Sequence, residues 1–558
     1  MHSADSTRHS HSVNVSARLR HMAEARPFQR AVVSPVARDA KDRVTYAHLT
    51  FRQLDRASDR LAEGLESIGI NRGTRTVLMV KPSLEFFTLT FALFKAGAVP
   101  VVVDPGMGVK RMLECLQESR PEGFIGIPIA HVLRTLRPGY FVSVKSWVTV
   151  GRRWFWGGHT LDQLMNRAWS PYGIADTRDS ETAAILFTTG STGPAKGVIY
   201  THGIFDAQVR AIQRQFSIEP GEIDLPTFPL FALFDPALGM TAVIPDMDPT
   251  RPAEVDPRKI IEAVWNQGVT NMFASPALLN RVGRYGQREG ISLPSLKRVI
   301  SAGAPTLPEY VERFSTMLRG NAQVYSGYGA TEAMPVSALG SRDILSETRY
   351  LSEAGSGTCV GRPVEGMRVR ILRITDDPIP AWSPDLTVSQ GEIGEIVVQG
   401  KLATPGYFER PHEDAQAKIQ DGDGFWHRMG DLGWLDEKGR IWFCGRKGHR
   451  VITGEGALFT IPCEAIFNNH SQVFRSALVG VGPAGSQLPV ICIELEKDVP
   501  PDKQSSIEHE LLELGGGNRL TQSIRRVLFH PEFPVDIRHN SKIFREKLAL
   551  WATEKLQR

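Results

Sequence analysis

Short apolar runs alternate with helix-patterned stretches from about residue 76 to residue 305. This rhythm restricts the fold more than any other feature of the chain. "TVLMV" (Thr76 to Val80), "VPVVVD" from Val99, "FIGIPIA" from Phe124, "TAAILFTT" from Thr182, "VTNMFAS" from Val269 and "RVISAGAP" from Arg298 each have the length and composition of a buried strand. Nearly continuous apolar strands separated by helices predict a parallel α/β sheet covered on both faces. Ligands of such sheets sit at the loops leaving the carboxyl ends of the strands. Thr50 to Ile70 reads as an amphipathic helix, with Leu54, Leu61, Leu65 and Ile68 on one face, Thr50 as cap and Gly69 as stop. Phe86 to Val103 approaches the length of a membrane span and carries one charge, Lys95. Gly97 and Pro100 divide it, so a buried helix feeding a buried strand is expected instead.

The pattern changes after about residue 390. "GEIGEIVVQG" and "GWLDEKGRIWFCGR" read as short strands with Gly or Asp turns, which predicts a small antiparallel sheet. Beyond Arg446 about a hundred residues remain, enough for one further domain. They hold strand-like "ALVGVG" and "VICIELE", an expected exposed turn at Gly515-Gly516-Gly517, and a helix from about Lys542. The expected division is therefore 1–445 and 446–558.

With 65 basic and 61 acidic residues the net charge is only +4, which argues against nucleic acid as a partner. The N-terminus shows no apolar leader. The five cysteines, Cys115, Cys359, Cys444, Cys463 and Cys492, have no CxxC spacing and suit reduced thiols in a cytoplasmic protein.

One loop asks for a ligand. In "ILFTTGSTGPAKGVIYTH" (Ile185 to His202), Gly190, Gly193 and Gly197 permit tight turns and close approach of backbone to a ligand. Thr188, Thr189, Ser191 and Thr192 offer hydroxyls, and Lys196 adds a cation. This set suits a polyphosphate. It is not a Walker P-loop: counting from Gly190, the second required glycine is Ala195, and Lys196 is followed by Gly197 rather than Ser or Thr.

The loop resembles the signature of the adenylate-forming superfamily, which includes acyl-CoA synthetases, peptide-synthetase adenylation domains and luciferases. Further motifs follow in the family's order. They are "FKAGAVPVVVDP" from Phe94, "SAGAP" from Ser301, "YGATE" from Tyr328, "HRMGDLGWLDEKG" from His427, "GRKGHRV" from Gly445 and "NSKIFREKL" from Asn540. The resemblance implies a large α/β adenylation domain, with parallel α/β subdomains and a small β-subdomain, followed by a small mobile α+β C-terminal domain. It implies ATP and Mg²⁺ as cofactors, and attack of a substrate carboxylate on the α-phosphate to form an acyl-adenylate.

By the same resemblance, Thr331 would hydrogen-bond the α-phosphate, Glu332 would bind Mg²⁺ together with Thr188, and Lys542 would bridge the carboxylate and phosphate oxygens. Thr188, Thr189, Gly190, Ser191, Thr192, Gly193 and Lys196 would hold phosphates. Gly303, Ala304, Pro305, Gly329 and Ala330 would flank the nucleotide, Tyr328 would stack on adenine, Asp431 would accept the ribose hydroxyls and Arg446 would support the ribose side. Taken singly, these residues admit plainer roles: Asp431 as a turn cap, Glu332, Lys542 and Arg446 as solvated surface charges, Tyr328 as core.

The chain departs from the common pattern at three places. Ala232 and Asp235, within "FPLFALFDPALG" from Phe228, stand where a histidine-bearing stretch is common. Gly448 and His449 replace the usual acidic hinge pair, and His449 is expected to be solvent-exposed. Ser541 precedes Lys542 where glycine is usual. "FPLFALFDPALG", "DMDPTRPAEVDP" from Asp246 and "FPVDIRHNSKIFREKLALWA" from Phe533 are similar to the β-lactone synthetases of bacterial long-chain olefin biosynthesis. That similarity implies a long-chain 2-alkyl-3-hydroxy acid as substrate, closed to a β-lactone by its own hydroxyl. It also implies assembly with other olefin-pathway enzymes and no transmembrane anchor. A long-chain or branched acyl-CoA ligase shares every adenylation residue and differs only in the acceptor.

Overall fold

The computed structural model describes residues 13–188, 195–228, 232–536 and 542–557. Two sheets carry the first part of the chain. In a seven-stranded sheet, Arg75–Met79 lies between Val99–Val103 and Gly123–Gly126, with Ser146–Thr149 and Thr182–Thr188 further out, and all of these pair in parallel. Lys196–Thr201 then returns antiparallel along Thr182–Thr188. The hydroxyl-rich loop therefore joins two strands of a hairpin. The next described element after it is the strand Lys196–Thr201 rather than a helix.

The second sheet has fourteen strands. Its parallel centre contains Ile223–Pro226, Asn271–Ala274, Arg298–Ser301 and Gln323–Ala330. It continues without a break into antiparallel strands that include Ala333–Gly340, Thr358–Pro363, Ile441–Arg446 and Gly424–Leu435. The small antiparallel sheet expected from the sequence is therefore an extension of the parallel one, joined where Ser337 pairs with Pro363.

The apolar stretch from Phe86 divides as anticipated, into the helix Leu84–Lys95 and the strand Val99–Val103. Its one charge is fully buried: Lys95 Nζ stands 2.6 Å from both Asp55 Oδ1 and Asp59 Oδ1. Both carboxylates come from the helix Phe51–Glu66, which Thr50 and Gln53 close with a reciprocal capping box. No helix among the described residues is long and apolar enough to cross a membrane.

From Val451 onward the chain builds cores of its own. The strands Val473–Val481, Leu488–Leu495 and Val527–Phe529 pack against the helices Thr460–Asn468, Gln504–Gly516 and Arg545–Leu556. The last helix begins three residues beyond Lys542. The Lys542 carbonyl instead accepts a hydrogen bond from Asp536 N at 2.9 Å. The glycine run at 515–517 is an exposed turn only at Gly517, beyond the exposed helix end at Gly516 and the buried Gly515. Gly515 and Gly516 end a helix, and a Cβ on Gly515 would stand 2.8 Å from the Phe467 ring, so a side chain there would displace the core. All five cysteines are buried and unpaired.

Candidate active site

A cavity of about 640 Å³ opens at the carboxyl ends of the parallel strands of both sheets. One end is apolar, with Leu78, Phe86, Phe94, Phe205, Phe216 and Leu233 among its walls. The other end collects Lys196, Gly303, Tyr328, Gly329, Ala330, Thr331, Glu332, Arg446 and Lys542, residues that lie up to 346 positions apart.

Thr331 and Glu332 are the two-residue connection of a hairpin, since Ala330 pairs with Ala333. Three hydrogen bonds hold this connection from outside. The Tyr200 hydroxyl donates to the Thr331 carbonyl at 2.6 Å, Thr404 N donates to the Glu332 carbonyl at 2.8 Å, and the Tyr407 hydroxyl donates to Glu332 Oε1 at 2.9 Å. The carboxylate is thus oriented by a neutral donor rather than neutralised by a cation.

A second hairpin places the carboxylate opposite. "GWLDEKGR" turns between Gly424–Leu435 and Ile441–Arg446, with Trp434 and Trp442 stacked 5.3 Å apart across it. Its register puts Asp431 directly across from Arg446. Arg446 Nη1 lies 2.9 Å from Asp431 Oδ1, and the Tyr328 hydroxyl donates to Oδ2 at 2.7 Å. Burial pushes the Asp431 pKa up, while Arg446, the Tyr328 hydroxyl and Lys542 oppose that rise. Burial beside this carboxylate also raises Tyr328 well above an ordinary phenol, so it stays a donor. Oδ1 is buried beside the Arg446 guanidinium without an aligned hydrogen-bond donor, and Asp431 stands behind Gly430 and Arg446, which line the cavity.

Lys196 projects its ammonium 4.8 Å from the centre of the Tyr407 ring. Gly303 has φ +95°, a conformation that favours glycine, and lines the cavity with Ala302. Ala304 and Pro305 follow it in the same loop but are not part of the wall. Of the remaining expected residues, Thr189, Gly190, Ser191, Thr192 and Gly193 lie outside the described residues, and Thr188 is placed only as the end of its strand.

Two residues of the site carry no sequence signal. Tyr407 is 75 positions from Glu332, and Tyr200 is 131 from Thr331. They arrive through pairing: Tyr407 bridges Val198, and Ala403 bridges Ala333, so the segment around 403–408 is stitched across both sheets.

Two polar residues in the divergent stretches, Asp235 and His449, are not part of the cavity wall. Asp235 and Asp224 are buried against each other and share a hydrogen bond. Burial raises Asp224 to about 7 and Asp235 further, so the pair holds a proton in the interior, away from the cavity wall. His449 is not solvent-exposed. Burial, with Arg545 and Arg446 nearby, lowers it to about 3 and keeps it neutral.

Comparison with known proteins agrees with this geometry. The profile of the AMP-binding enzymes matches residues 19–408. The chain is 48% identical to the olefin β-lactone synthetase of Xanthomonas campestris pv. campestris, over 97% of this chain and 98% of that protein. It is 48% identical to the olefin β-lactone synthetase of Stenotrophomonas maltophilia, over 98% and 99% respectively. An anthranilate CoA ligase solved in complex with anthranoyl-AMP shares the fold, with a TM-score of 0.80 at 18% identity, over 98% of each chain.

Proposed function

This chain belongs to the AMP-binding enzyme family and is an ATP-dependent adenylate-forming ligase, and on that footing we propose that it converts a long-chain 2-alkyl-3-hydroxy acid to a β-lactone, with release of AMP and pyrophosphate. The observation that carries this reading is the 48% identity to olefin β-lactone synthetases along nearly the whole length of both chains.

In this reading the apolar end of the cavity takes the alkyl chains and the polar end takes ATP. Lys542 and Lys196 bring positive charge to the carboxylate and phosphates as the acyl–phosphate bond forms and pyrophosphate leaves. The Thr331 hydroxyl holds the α-phosphate, Asp431 receives a ribose hydroxyl, and the Tyr328 ring faces adenine. Among the described residues no cluster of three or more acidic, His or Cys side chains exists. Mg²⁺ binds through one or two carboxylates plus phosphate oxygens, and the Glu332 carboxylate, oriented by the Tyr407 hydroxyl at the polar end of the cavity, suits that role. Glu332, with Thr188, would hold it, and it would neutralise phosphate charge.

In the second half-reaction the substrate's β-hydroxyl oxygen attacks the acyl carbon, the bond to the AMP oxygen breaks, and the hydroxyl proton is lost. Well-oriented intramolecular attack can reach an effective molarity on the order of 10⁵ M or more, but the strain of the four-membered ring opposes that gain, so activation of the acyl group as a mixed anhydride with AMP is needed. The division at 445/446, with a C-terminal domain that moves between half-reactions, belongs to the same proposal. So does association with the enzymes that supply the hydroxy acid and consume the lactone, which would keep the lactone from water.

The test incubates the pure protein with ATP, Mg²⁺ and a synthetic 2-alkyl-3-hydroxy acid, with and without CoA, and identifies the organic product by NMR. A β-lactone and AMP formed without CoA are expected. A thioester formed only with CoA would make the protein an acyl-CoA ligase and overturn the proposal.

A further inference from the structure

Between Glu122 and Asp162 the sequence contains no acidic residue and five cations, Arg134, Arg137, Lys145, Arg152 and Arg153. This stretch of +5 outweighs the +4 of the whole chain, so the remainder is at −1. The same stretch holds five large apolar side chains, Ile129, Leu136, Val142, Trp154 and Phe155, that are between 55% and 84% exposed. Strong segregation of cations with exposed aromatics is not the ordinary composition of a solvated surface.

These side chains are presented by a built scaffold. Ile129 and Leu136 lie two turns apart on one face of the helix Pro128–Leu136. Trp156 turns inward and stacks on His131 of that helix, 5.3 Å away and 8° from parallel, and its Nε1 donates to Thr149 Oγ1 at 3.0 Å. Anchoring Trp156 leaves its neighbours Trp154 and Phe155 facing outward. Among the described residues Arg137, Arg152 and Arg153 make no ion pair. Lys145 is paired with Glu122 at 3.0 Å, so the unpaired charge sits beside the aromatic loop and the helix end.

The position of this face matters too. The helix and the loop leave the carboxyl ends of Gly123–Gly126 and Ser146–Thr149. Leu78, in the strand next to Gly123–Gly126, lines the apolar end of the cavity. At a strand spacing of about 4.8 Å, the loop after Thr149 starts on the order of 10 Å from that wall.

We propose that this face docks the protein on an anionic lipid bilayer, with Trp154, Phe155 and Ile129 entering the interface and the arginines meeting headgroup phosphates. Aromatic rings and basic side chains side by side are what a bilayer surface selects, apolar area for the acyl boundary and cations for the anionic headgroups. The placement would let a hydrophobic acid reach the cavity without crossing water. The proposal does not depend on which acceptor closes the reaction.

The experiment measures sedimentation of the full chain with vesicles of 30% phosphatidylglycerol and 70% phosphatidylcholine, and with pure phosphatidylcholine, across a salt series. Binding to the anionic vesicles that weakens with salt is expected. Each arginine near such a surface contributes about a fivefold factor, so the Arg152→Ser/Arg153→Ser double variant should lose about 25-fold in partitioning. Trp154→Ser/Phe155→Ser should lose about tenfold or more. Both should keep the parent melting temperature and the ATP–pyrophosphate exchange rate with a short, water-soluble hydroxy acid. No preference for anionic over neutral vesicles, or vesicle binding that both variants retain, would overturn the proposal. So would a stable dimer or protein complex that the variants dissolve while vesicle binding is absent.

Discussion

Replacing Tyr328 by phenylalanine separates two roles of one side chain. The ring that would face adenine is kept, and only the hydroxyl that donates to Asp431 Oδ2 at 2.7 Å is lost. Asp431 is 3% exposed, so water does not replace the missing donor cheaply. A hydrogen bond to a charged group contributes about 1.5–3 kcal/mol, which corresponds to roughly a 10- to 150-fold rise in the KM for ATP if Asp431 grips the ribose. The KM for the acid should change little, because the partners of Asp431, Arg446 and Tyr328, line the polar end of the cavity and not the apolar end. The sign of the pH effect follows as well. The hydroxyl holds the Asp431 pKa down against burial, so its removal lets the carboxylate protonate at higher pH. The acid limb of the kcat/KM profile for ATP should therefore move upward in pH. The assay is ATP–pyrophosphate exchange at varied ATP and pH. A variant with KM for ATP within about threefold of the parent and an unmoved acid limb would refute the reasoning, and would leave Tyr328 a purely apolar platform.

Two further outcomes follow from the structure. Lys542→Ala should lower ATP–pyrophosphate exchange by about 10²- to 10³-fold, the usual cost of removing one preorganised stabiliser of developing charge. The hydrogen bond from Asp536 N to the Lys542 carbonyl survives the substitution, and the thermal midpoint of the variant, measured beside the exchange rate, separates lost chemistry from lost folding. Buried His131 and His202 are both pushed down to about 4 by burial, against 6.5 when unfolded. Between pH 6.5 and 4 the unfolded chain takes up protons that the folded one refuses, so their contribution is intact above pH 6.5 and is lost as pH falls. Each should steepen the acid limb of stability by about 1.4 kcal/mol per pH unit. Urea titrations of His202→Asn at pH 7 and pH 5 should show a smaller difference in unfolding free energy than the parent does, and an equal difference would contradict this.

The parallel strands were readable because each is a short apolar run, and burial on both faces leaves that pattern no competitor. The join between parallel and antiparallel strands was not readable. The change of direction itself is the hairpin between Gln323–Ala330 and Ala333–Gly340, and the attachment of the small antiparallel sheet beyond it depends on Ser337 meeting Pro363, a pairing with no local signal. The nucleotide end was legible where a motif keeps its partners close in sequence, as with Asp431 and Arg446 on one hairpin. It was illegible at Tyr407 and Tyr200, whose partners belong to distant strands. Lys95 shows what a local pattern leaves out: the burial of its helix was expected, but the two carboxylates that receive its charge belong to a neighbouring helix. The glycines at 515–517 mislead, because close packing on Phe467, rather than a turn, accounts for Gly515.

The two ends of the cavity draw on different tracts of the chain. Much of the apolar wall comes from residues 78–102 and 205–234, and most of the polar wall from 302–332 and 429–446, with Lys196 and Lys542 added from outside them. Mutations that reshape the apolar end therefore fall on positions outside the polar wall, and under the proposed function they would leave nucleotide binding untouched. A lineage can drift toward longer, shorter or differently branched acids while its activation chemistry stays under separate selection. A library confined to the first tracts would sample new acids in the same way.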